Sequence, residues 1–286
     1  MAERAFGGQT MTQTLRRVMV RPPRCAGFAS WREYGWRSKP DVAKLAAEHE
    51  KFCEALGAGG ADIVPAETSV PSDPDSIYVF DPAIVSDAGA IVLRSGKVGR
   101  LVETDAIAAD LEAAGVPVAT RLDAPATVDG GDTMWLFGHT LAVGRGYRTN
   151  DAGIHALQDA LPDVDVLPFD LPHLHGSEVV LHLLSLLSPL DDDLVVAYLP
   201  LLPVRLVQLL NDLEVRIVEV PDEEFETLGA NVLALAPRVC LALEGNDETR
   251  RRLEQAGVEV SVYRGDEISR KGDGGPTCLT RPLLRA

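Results

Sequence analysis

The sequence lacks an apolar run long enough to cross a membrane. Its longest run, Val179 to Leu187, contains His182 and stops at Pro189, whereas a membrane-spanning helix needs about 20 apolar residues. Residues 1–14 also lack the apolar core of a secretory signal. We therefore expect no membrane association, a flexible N-terminus over residues 1–14, and a single catalytic domain over residues 15–286.

Cysteine and basic side chains are both scarce. The 4 cysteines have no CxxC spacing and are too few for a disulfide scaffold, which indicates a reducing, cytoplasmic location. The 27 Lys and Arg residues face 43 Asp and Glu residues, which gives a net charge of -16. This charge opposes binding to nucleic acid or to anionic membranes. It suits a cationic small molecule.

Nucleotide-binding and zinc-protease signatures are also missing. No GxGxxG follows a predicted strand, and neither GxxxxGK[ST] nor HExxH occurs, so a doubly wound nucleotide-binding sheet is disfavoured. A zinc hydrolase stays open as an alternative, because His173 and His175 would share one face of a strand. Glu178 or His182 could complete such a metal site.

What the sequence has instead is a pattern that occurs five times. Each copy predicts two short strands around a turn, an amphipathic helix and a β-branched closing strand. The copies are predicted to begin at Val18, Val79, Thr133, Val179 and Val232. The first strands of the second and fourth copies are predicted over Ser76 to Ser86 and Val179 to Leu187. Units of roughly 50 residues fit a closed radial α/β structure, in which inner ends meet in one central site.

Three turns carry the groups that covalent catalysis needs. Cys278 ends a Gly-Gly-Pro-Thr-Cys turn, His173 lies in a proline- and glycine-marked turn, and Asp129 begins Asp-Gly-Gly-Asp. A thiol to attack, an imidazole to move protons and a carboxylate to hold the imidazole suffice for acyl or amidine transfer. We predict that Cys278, His173 and Asp129 are catalytic. The glycines around the cysteine are interpreted as room for a ligand.

Together these motifs resemble the guanidino-group modifying enzymes, the superfamily of dimethylarginine dimethylaminohydrolases, arginine deiminases and amidinotransferases. The resemblance covers about Arg17 to Leu284. It rests on Asp129 to Asp132, His173-Leu174, Gly144 to Asn150, Ala230-Asn231 and the turn ending at Cys278. It implies an α/β fold, a five-bladed α/β propeller built from pseudo-five-fold ββαβ units.

The resemblance also implies a mechanism and a substrate site. A Cys278 thiolate would form a thiouronium adduct with a guanidino compound, most simply a methylated arginine, and hydrolysis would yield citrulline and an amine. Asp81 and Asp75 match acids that contact the substrate, and Arg100 and Arg148 match the residues that hold its carboxylate. Neither a cofactor nor a metal is expected.

Several alternatives stay open at this point. Phe80 stands where dimethylarginine enzymes commonly carry an acid, which predicts a more apolar substrate wall. Arginine deimination and amidino transfer use the same adduct, and a non-catalytic arginine-binding protein would keep the same fold. A homodimer is an alternative to a monomer. The aromatic segment with Trp31, Tyr34 and Trp36 is interpreted as a lid.

Overall fold

Fifteen short strands and seven helices make up the described part of the chain. The computed structural model describes residues 4–136, 139–177, 179 and 181–286. The strands are β1 (Leu15–Val20), β2 (Asp62–Pro65), β3 (Ala83–Ser86), β4 (Gly89–Val92), β5 (Val118–Arg121), β6 (Thr133–Leu136), β7 (Thr140–Arg145), β8 (Asp165–Asp170), β9 (Leu187–Asp191), β10 (Leu194–Ala197), β11 (Arg216–Glu219), β12 (Leu233–Ala236), β13 (Val239–Leu243), β14 (Glu259–Tyr263) and β15 (Arg281–Arg285). The helices are α1 (Val42–Ala58), α2 (Glu103–Ala113), α3 (Asp151–Ala160), α4 (Leu183–Leu186), α5 (Val204–Asp212), α6 (Asp222–Phe225) and α7 (Asp247–Gln255). Across these ranges, no helix has the length and apolar character that a membrane crossing requires.

The strands form five three-stranded sheets with one shared connectivity. Their orders are β15-β1-β2, β3-β4-β5, β6-β7-β8, β9-β10-β11 and β12-β13-β14. In every sheet the central strand has one antiparallel and one parallel neighbour. Parallel neighbours need a crossover connection, which α1, α2, α3, α5 and α7 supply in turn. The protein is therefore a mixed α/β fold with a five-fold repeat.

The last strand of the chain completes the first sheet. β15 pairs antiparallel with β1, and Arg281 lies opposite Met19. In the sequence pattern, the first copy shows only one clear strand before its helix. The reason is that the antiparallel partner of β1 is β15, at the other end of the sequence. Both ends of the chain therefore lie in one sheet.

Five apolar clusters lie between pairs of sheets. Adjacent residues of a strand point to opposite faces, so each central strand contributes to two clusters. Representative pairs are Met19 and Ala90 between the first and second sheets, Ile91 and Leu141 between the second and third, Ala142 and Val195 between the third and fourth, Val196 and Cys240 between the fourth and fifth, and Leu241 and Val18 between the fifth and first. Burial on both faces explains why these strands read as continuous apolar runs.

Two predicted strands begin later in the structure than in the sequence pattern. The run from Val179 to Leu187 contains the short helix α4, and the strand starts only at Leu187. The predicted strand from Ser76 is replaced by a 3-10 turn over Pro74–Ile77, and β3 starts at Ala83. An apolar run does not distinguish a strand from a buried turn. Phe137 and Glu178, which also belonged to predictions, lie outside the described residues.

Residues 4–14, predicted to be flexible, are hydrogen-bonded to the body of the protein. The Gly7 amide donates to Leu283 O at 2.8 Å, and the Arg285 amide donates to Gly7 O at 3.0 Å. The Gly8 amide donates to Asp87 Oδ1 at 2.8 Å. This N-terminal arm therefore extends the first sheet and contacts the turn between β3 and β4.

Candidate active site

Each sheet contributes a polar or reactive side chain from the segment that precedes its antiparallel edge strand. These residues are Cys278 before β15, Asp81 before β3, Asp129 before β6, His182 before β9 and Asn231 before β12. The first four line a pocket of about 50 Å³. The repeat therefore brings residues that are far apart in the sequence to one place.

The pocket contains six of the seven site residues that the sequence predicts. Those six are Asp75, Asp81, Arg100, Asp129, Arg148 and Cys278. His173 does not line this pocket, and the imidazole found there is that of His182.

Cys278 lies in a turn whose glycines make room for neighbouring side chains. A Cβ on Gly274 would lie 2.1 Å from Tyr78 Cε1, and one on Gly275 would lie 2.4 Å from Asn231 Oδ1. Gly272 and Gly274 also line the pocket, so the interpretation that these glycines admit a ligand stays a prediction. Asn231 Nδ2 in turn donates to the Cys278 sulfur at 3.4 Å. The turn packs tightly enough to orient the thiol.

The thiol is neutral at physiological pH in the empty pocket. Burial and the negative charge of Asp81 raise the pKa of Cys278 to about 12, against the opposing effects of Asn231 and Arg100. Only a thiolate is an effective nucleophile. A positive charge placed close to the sulfur would lower this pKa and favour the thiolate.

His182 and Asp129 form a buried hydrogen-bonded pair. His182 Nε2 lies 3.1 Å from Asp129 Oδ2, and both side chains are largely withdrawn from solvent. The other carboxylate oxygen of Asp129 accepts from Ser95 Oγ at 2.6 Å and from the Gly96 amide at 3.0 Å. With its carboxylate held on both oxygens, Asp129 sets the orientation of the imidazole.

This pair favours an imidazolium beside a carboxylate. Burial lowers the pKa of His182, but the negative charges of Asp81, Asp132 and Asp129 outweigh it and raise the pKa to about 9. Burial acts to raise the pKa of Asp129, but the hydrogen bond and charge of His182 bring it well below its ordinary value. At neutral pH His182 therefore carries a proton that it can donate.

His173 lies at the surface, away from Asp129. Its Nδ1 is 2.7 Å from the hydroxyl of Tyr147, and it lines a separate groove of about 200 Å³. Arg148 borders both this groove and the pocket at Cys278. The structure therefore corrects the predicted pairing of His173 with Asp129, because the turn after β8 points His173 outward.

The Asp-Gly-Gly-Asp segment positions His182 from two sides. A Cβ on Gly131 would lie 2.3 Å from His182 Nδ1, so only glycine leaves space for the imidazole. Asp132 Oδ1 accepts from the Leu183 amide at 3.1 Å, next to His182 at the start of α4. Sequence reasoning treated Asp132 as part of a turn and missed this positioning contact.

Asp81 is held by a backbone amide and by Arg100. Asp81 Oδ1 accepts from the Gly131 amide at 2.8 Å, and Arg100 Nη1 forms an ion pair with Asp81 Oδ2. Arg100 also donates from Nη2 to Glu103 Oε2 at 3.0 Å. The guanidinium of Arg100 is therefore bound to Asp81, the carboxylate that the sequence analysis assigned to a substrate guanidinium.

Asp75 is held by the aromatic segment that was interpreted as a lid. Trp36 Nε1 donates to Asp75 Oδ1 at 2.8 Å, and Lys97 Nζ donates to Asp75 Oδ2 at 2.6 Å. Trp36 is 4% exposed and packs against Tyr78 with ring centroids 6.1 Å apart. The lid interpretation is therefore wrong for Trp36, which is part of the core beneath Asp75.

The pocket could also accept a divalent cation. Ligand atoms of Asp81, Asp129 and His182 all lie within 4.8 Å of one another. Among the described residues this trio differs from the zinc set that the sequence suggested, since it includes neither His173 nor His175. Two carboxylates and an imidazole are an acceptable donor set for several metals.

The His182–Asp129 pair predicts a stability that depends on pH. A raised histidine pKa means that the stabilisation is fully present below the unfolded value, near 6.5, and is lost as the pH rises through about 9. That shift corresponds to about 3 kcal/mol of unfolding free energy. We expect urea unfolding of the wild type to show this loss between pH 6.5 and 9.5. The His182→Gln variant should lack that part of the dependence, and an equal loss in both proteins would contradict the assignment.

Comparisons with known proteins identify relatives among the guanidino-group modifying enzymes. Residues 199–285 match the family model described as arginine deiminase. The chain is 31% identical over 246 residues to the N(G),N(G)-dimethylarginine dimethylaminohydrolase of Streptomyces coelicolor, with 85% of this chain and 88% of that protein covered. It is 30% identical over 249 residues to the Pseudomonas aeruginosa protein of that name, with 85% and 89% covered. A solved structure of that Pseudomonas enzyme, a cysteine-to-serine mutant complexed with citrulline, superposes with a TM-score of 0.78 at 25% identity, covering 94% of this chain and 100% of that chain.

Proposed function

The chain belongs to the dimethylarginine dimethylaminohydrolase family of guanidino-group modifying enzymes, and from this premise we propose that it hydrolyses a C–N bond of a methylated arginine. The products are citrulline and methylamine or dimethylamine. The observation that carries the proposal is the pocket in which Cys278, His182 and Asp129 meet beside Asp81. This set combines a nucleophile, a proton donor and a group that binds cations.

The first half of the reaction forms a covalent adduct. The Cys278 thiolate attacks the guanidinium carbon and forms a C–S bond, and the C–N bond to the substituted nitrogen then breaks. His182 donates its proton to that nitrogen, so that the amine leaves neutral. We assign this step to His182 rather than His173, because its Nδ1 lies 3.8 Å from Asp81 Oδ1, on the side where a bound guanidinium would lie.

The second half of the reaction releases the product. A water molecule takes the place of the amine, and His182, now neutral, accepts a proton from it as the oxygen attacks the adduct carbon. The C–S bond then breaks, its electron pair returns to the Cys278 sulfur, the second proton of the water moves to that sulfur, and the product carries a ureido oxygen. Asp129 keeps the imidazole in one orientation through both halves, as a carboxylate does for a catalytic histidine in other covalent mechanisms.

The positive charge of the substrate favours ionisation of the Cys278 thiol. The pKa of Cys278 is about 12 in the empty pocket, and a guanidinium bound at Asp81 places a positive charge beside the sulfur, which lowers the pKa of the thiol. The thiol proton then leaves to solvent as the cation enters.

Substrate binding involves an exchange of guanidinium groups at Asp81. Arg100 forms an ion pair with Asp81, so a substrate guanidinium competes with Arg100 for this carboxylate. Arg148, whose Nη1 lies 3.8 Å from Asp129 Oδ2, borders the outer groove and is the better placed of the two arginines to hold the substrate carboxylate. Asp75 is assigned to a further contact with the substrate.

We further propose that the five sheets are the blades of an α/β propeller. The five apolar clusters link the sheets in order and join the fifth to the first, which supports a closed ring. β15 closes the first blade with the last strand of the chain. In such a ring, the segments before the edge strands meet near the axis, where Cys278 and its partners lie.

The four free cysteines fit a cytoplasmic location.

Arginine deimination is the second candidate function. The match of residues 199–285 to the arginine deiminase model includes the turn at Cys278, and the sequence Cys278-Leu279-Thr280-Arg281-Pro282 resembles the corresponding tail of deiminases. The chemistry is the same, with ammonia in place of the methylated amine. Only the pocket around the leaving nitrogen distinguishes the two reactions.

Product analysis on a panel of guanidines tests the proposal. Purified protein is incubated with dimethylarginine, monomethylarginine, arginine, agmatine and guanidinoacetate, with and without amine acceptors, and products and adducts are identified by mass spectrometry. Citrulline with dimethylamine, and a thiouronium on Cys278, are expected. Turnover of arginine alone would favour deimination, and an acceptor-dependent product would favour amidino transfer. Absence of product and adduct across the panel would contradict hydrolysis and favour a binding protein.

A single methyl group on Gly131 is expected to disturb the pocket. The Cβ in Gly131→Ala would lie 2.3 Å from His182 Nδ1 and 3.0 Å from Asp81 Oδ1, so the imidazole has to move. A displacement of about 1 Å in a catalytic group costs roughly 10²-fold in rate, and we expect a loss of that size in kcat on dimethylarginine.

The matched control for this variant is Gly57→Ala in α1. Its Cβ would have Ile63 Cδ1 at 4.0 Å as its nearest neighbour, so it should leave kcat unchanged. It should also raise the unfolding free energy by about 0.5–1 kcal/mol, because alanine is the better helix former. Equal rates in the two variants would argue that His182 is not held by Gly131.

A further inference from the structure

A second, smaller cavity lies on the other side of the segment that carries Asp81. It has a volume of about 20 Å³, and Phe80, Thr133, Arg281 and Arg285 are among the residues that line it. Tyr78 and Asp81, which flank Phe80 closely in sequence, line the pocket at Cys278 instead. The expected contribution of Phe80 to the substrate wall is therefore corrected, because its ring faces this second cavity.

Arg281 is a buried cation without a polar partner in the described part of the chain. Its side chain is 4% exposed, and its guanidinium carbon lies 3.6 Å from the centroid of the Phe80 ring. The Phe80 ring covers one face of the Arg281 guanidinium, whereas the N–H groups of Arg281 point outward in the plane of the guanidinium. Nε and Nη2 are both buried and make no hydrogen bond within the described ranges.

Arg285 places a second cation on the same cavity. It donates from Nη1 to Gln13 O at 2.7 Å and from Nη2 to Ala234 O at 2.9 Å, but its Nε is buried without a partner among the described residues. Burial lowers the pKa of both arginines to about 9. At Arg281 the negative charge of Asp81 opposes this effect, whereas the positive charge of Arg285 adds to it. Both side chains are therefore still charged at neutral pH.

Two buried cations without a salt-bridged carboxylate are energetically costly. A charge removed from water costs several kcal/mol unless an opposite charge and hydrogen bonds replace its hydration. The salt bridges of the described residues include neither Arg281 nor Arg285, although the chain as a whole is strongly acidic. Asp81 acts on Arg281 only through its charge, so an anion from outside the chain that bonds to the unpartnered N–H groups would stabilise this pair.

We propose that a single small inorganic anion of the halide class, such as chloride, binds in this cavity between Arg281 and Arg285. The unpartnered Nε and Nη2 of Arg281 and Nε of Arg285 are its hydrogen-bond donors. A cavity of about 20 Å³ holds little more than one water-sized particle, so phosphate and organic carboxylates are too large. This site is separate from the pocket at Cys278 and does not depend on the proposed reaction.

A route into the cavity exists beside the N-terminal arm. A larger cavity of about 330 Å³ shares Gly8, Thr10, Met11 and Trp135 with the smaller one. Of the three acids at its mouth, Asp87 pairs with Arg4 and Asp191 pairs with Arg238, whereas Asp192 has no salt bridge among the described residues. An anion can therefore approach from the face opposite the substrate and become enclosed by residues 8–13.

Thermal unfolding at constant ionic strength tests the site. Chloride is raised from zero to 150 mM against sodium gluconate, whose anion is too large to enter. We expect the melting temperature of the wild type to rise by about 3 °C or more and to saturate, as binding to the native state alone requires. The Arg281→Gln variant should lose the chloride dependence, whereas Arg16→Gln, which changes an exposed arginine of β1, should keep it.

A second measurement covers the case in which Arg281→Gln fails to fold. Crystals of the wild-type protein grown in sodium bromide should give an anomalous peak within hydrogen-bonding distance of Arg281 Nε. Equal wild-type melting temperatures in chloride and gluconate would overturn the proposal. So would an undiminished chloride effect in Arg281→Gln, or a cavity that contains only water in bromide crystals.

Discussion

Replacing Cys278 with serine is expected to reduce kcat on dimethylarginine by about 10⁴-fold or more. The hydroxyl is nearly the same size as the thiol, but its pKa is far too high for a bound guanidinium to ionise it, so no thiouronium forms. Loss of the nucleophile in a covalent mechanism typically costs this much or more. The measurement is steady-state citrulline formation, with ligand affinity followed by calorimetry, which should change little.

Cys53→Ser is the matched control for the Cys278→Ser variant. Cys53 is a partly buried thiol of α1, close to His49 at 3.7 Å, and lies outside the pocket at Cys278. Its replacement should leave kcat unaffected. Chelators should also have no effect on the wild type, whereas thiol alkylation should inactivate it. A normal rate in Cys278→Ser, or activity that disappears with a chelator, would point to metal chemistry at Asp81, Asp129 and His182.

Replacing His182 with glutamine is expected to lower kcat by about 10³-fold, while His173→Gln should change it less than about threefold. Positioned acid and base catalysis contributes roughly 10² to 10⁴-fold, and His182 is the imidazole that lies against Asp129 at 3.1 Å. Glutamine can retain one hydrogen bond to Asp129 but cannot deliver a proton. Mass spectrometry should show that the variant accumulates or loses the adduct according to which proton transfer is slower.

The pair of histidine variants distinguishes two assignments that the sequence left unresolved. If His173→Gln were the inactive variant, the surface loop with Tyr147 would have to close over the pocket in the complex, and the role of His182 would be structural. Circular dichroism and the melting temperature of His182→Gln serve as the control, since Asp129 loses a buried partner. A folded variant with an unchanged rate would contradict the mechanism proposed for His182.

Local patterns predicted much of the secondary structure. Helices α3 and α7 begin at the predicted residues, Asp151 and Asp247, because polar N-terminal residues and a following apolar periodicity mark a helix start. A hairpin about Pro237 was also predicted from the turn residue between two apolar runs, and β12 and β13 pair antiparallel there. The errors fall at Ser76 and Val179, where apolar segments form turns that carry site residues.

The candidate site was only partly visible in the sequence. Cys278 and Asp129 were identified because glycine-rich turns around a thiol or carboxylate are unusual. His182 was missed because two His-Leu pairs occur, at His173 and His182, and the second lies in an apolar run that resembles a strand. A signal did exist, since an imidazole in such a run has to find a partner once it is buried.

The sequence by itself determined the five-fold repeat, the helices and most strands, because hydrophobic periodicity and turn residues act between neighbours in the chain. Only the tertiary structure decided which imidazole meets Asp129, that β15 returns to pair with β1, and that Phe80 covers Arg281 rather than the substrate pocket. These contacts join residues 53 to 270 positions apart. Their geometry depends on how five sheets pack against one another, which no local pattern specifies.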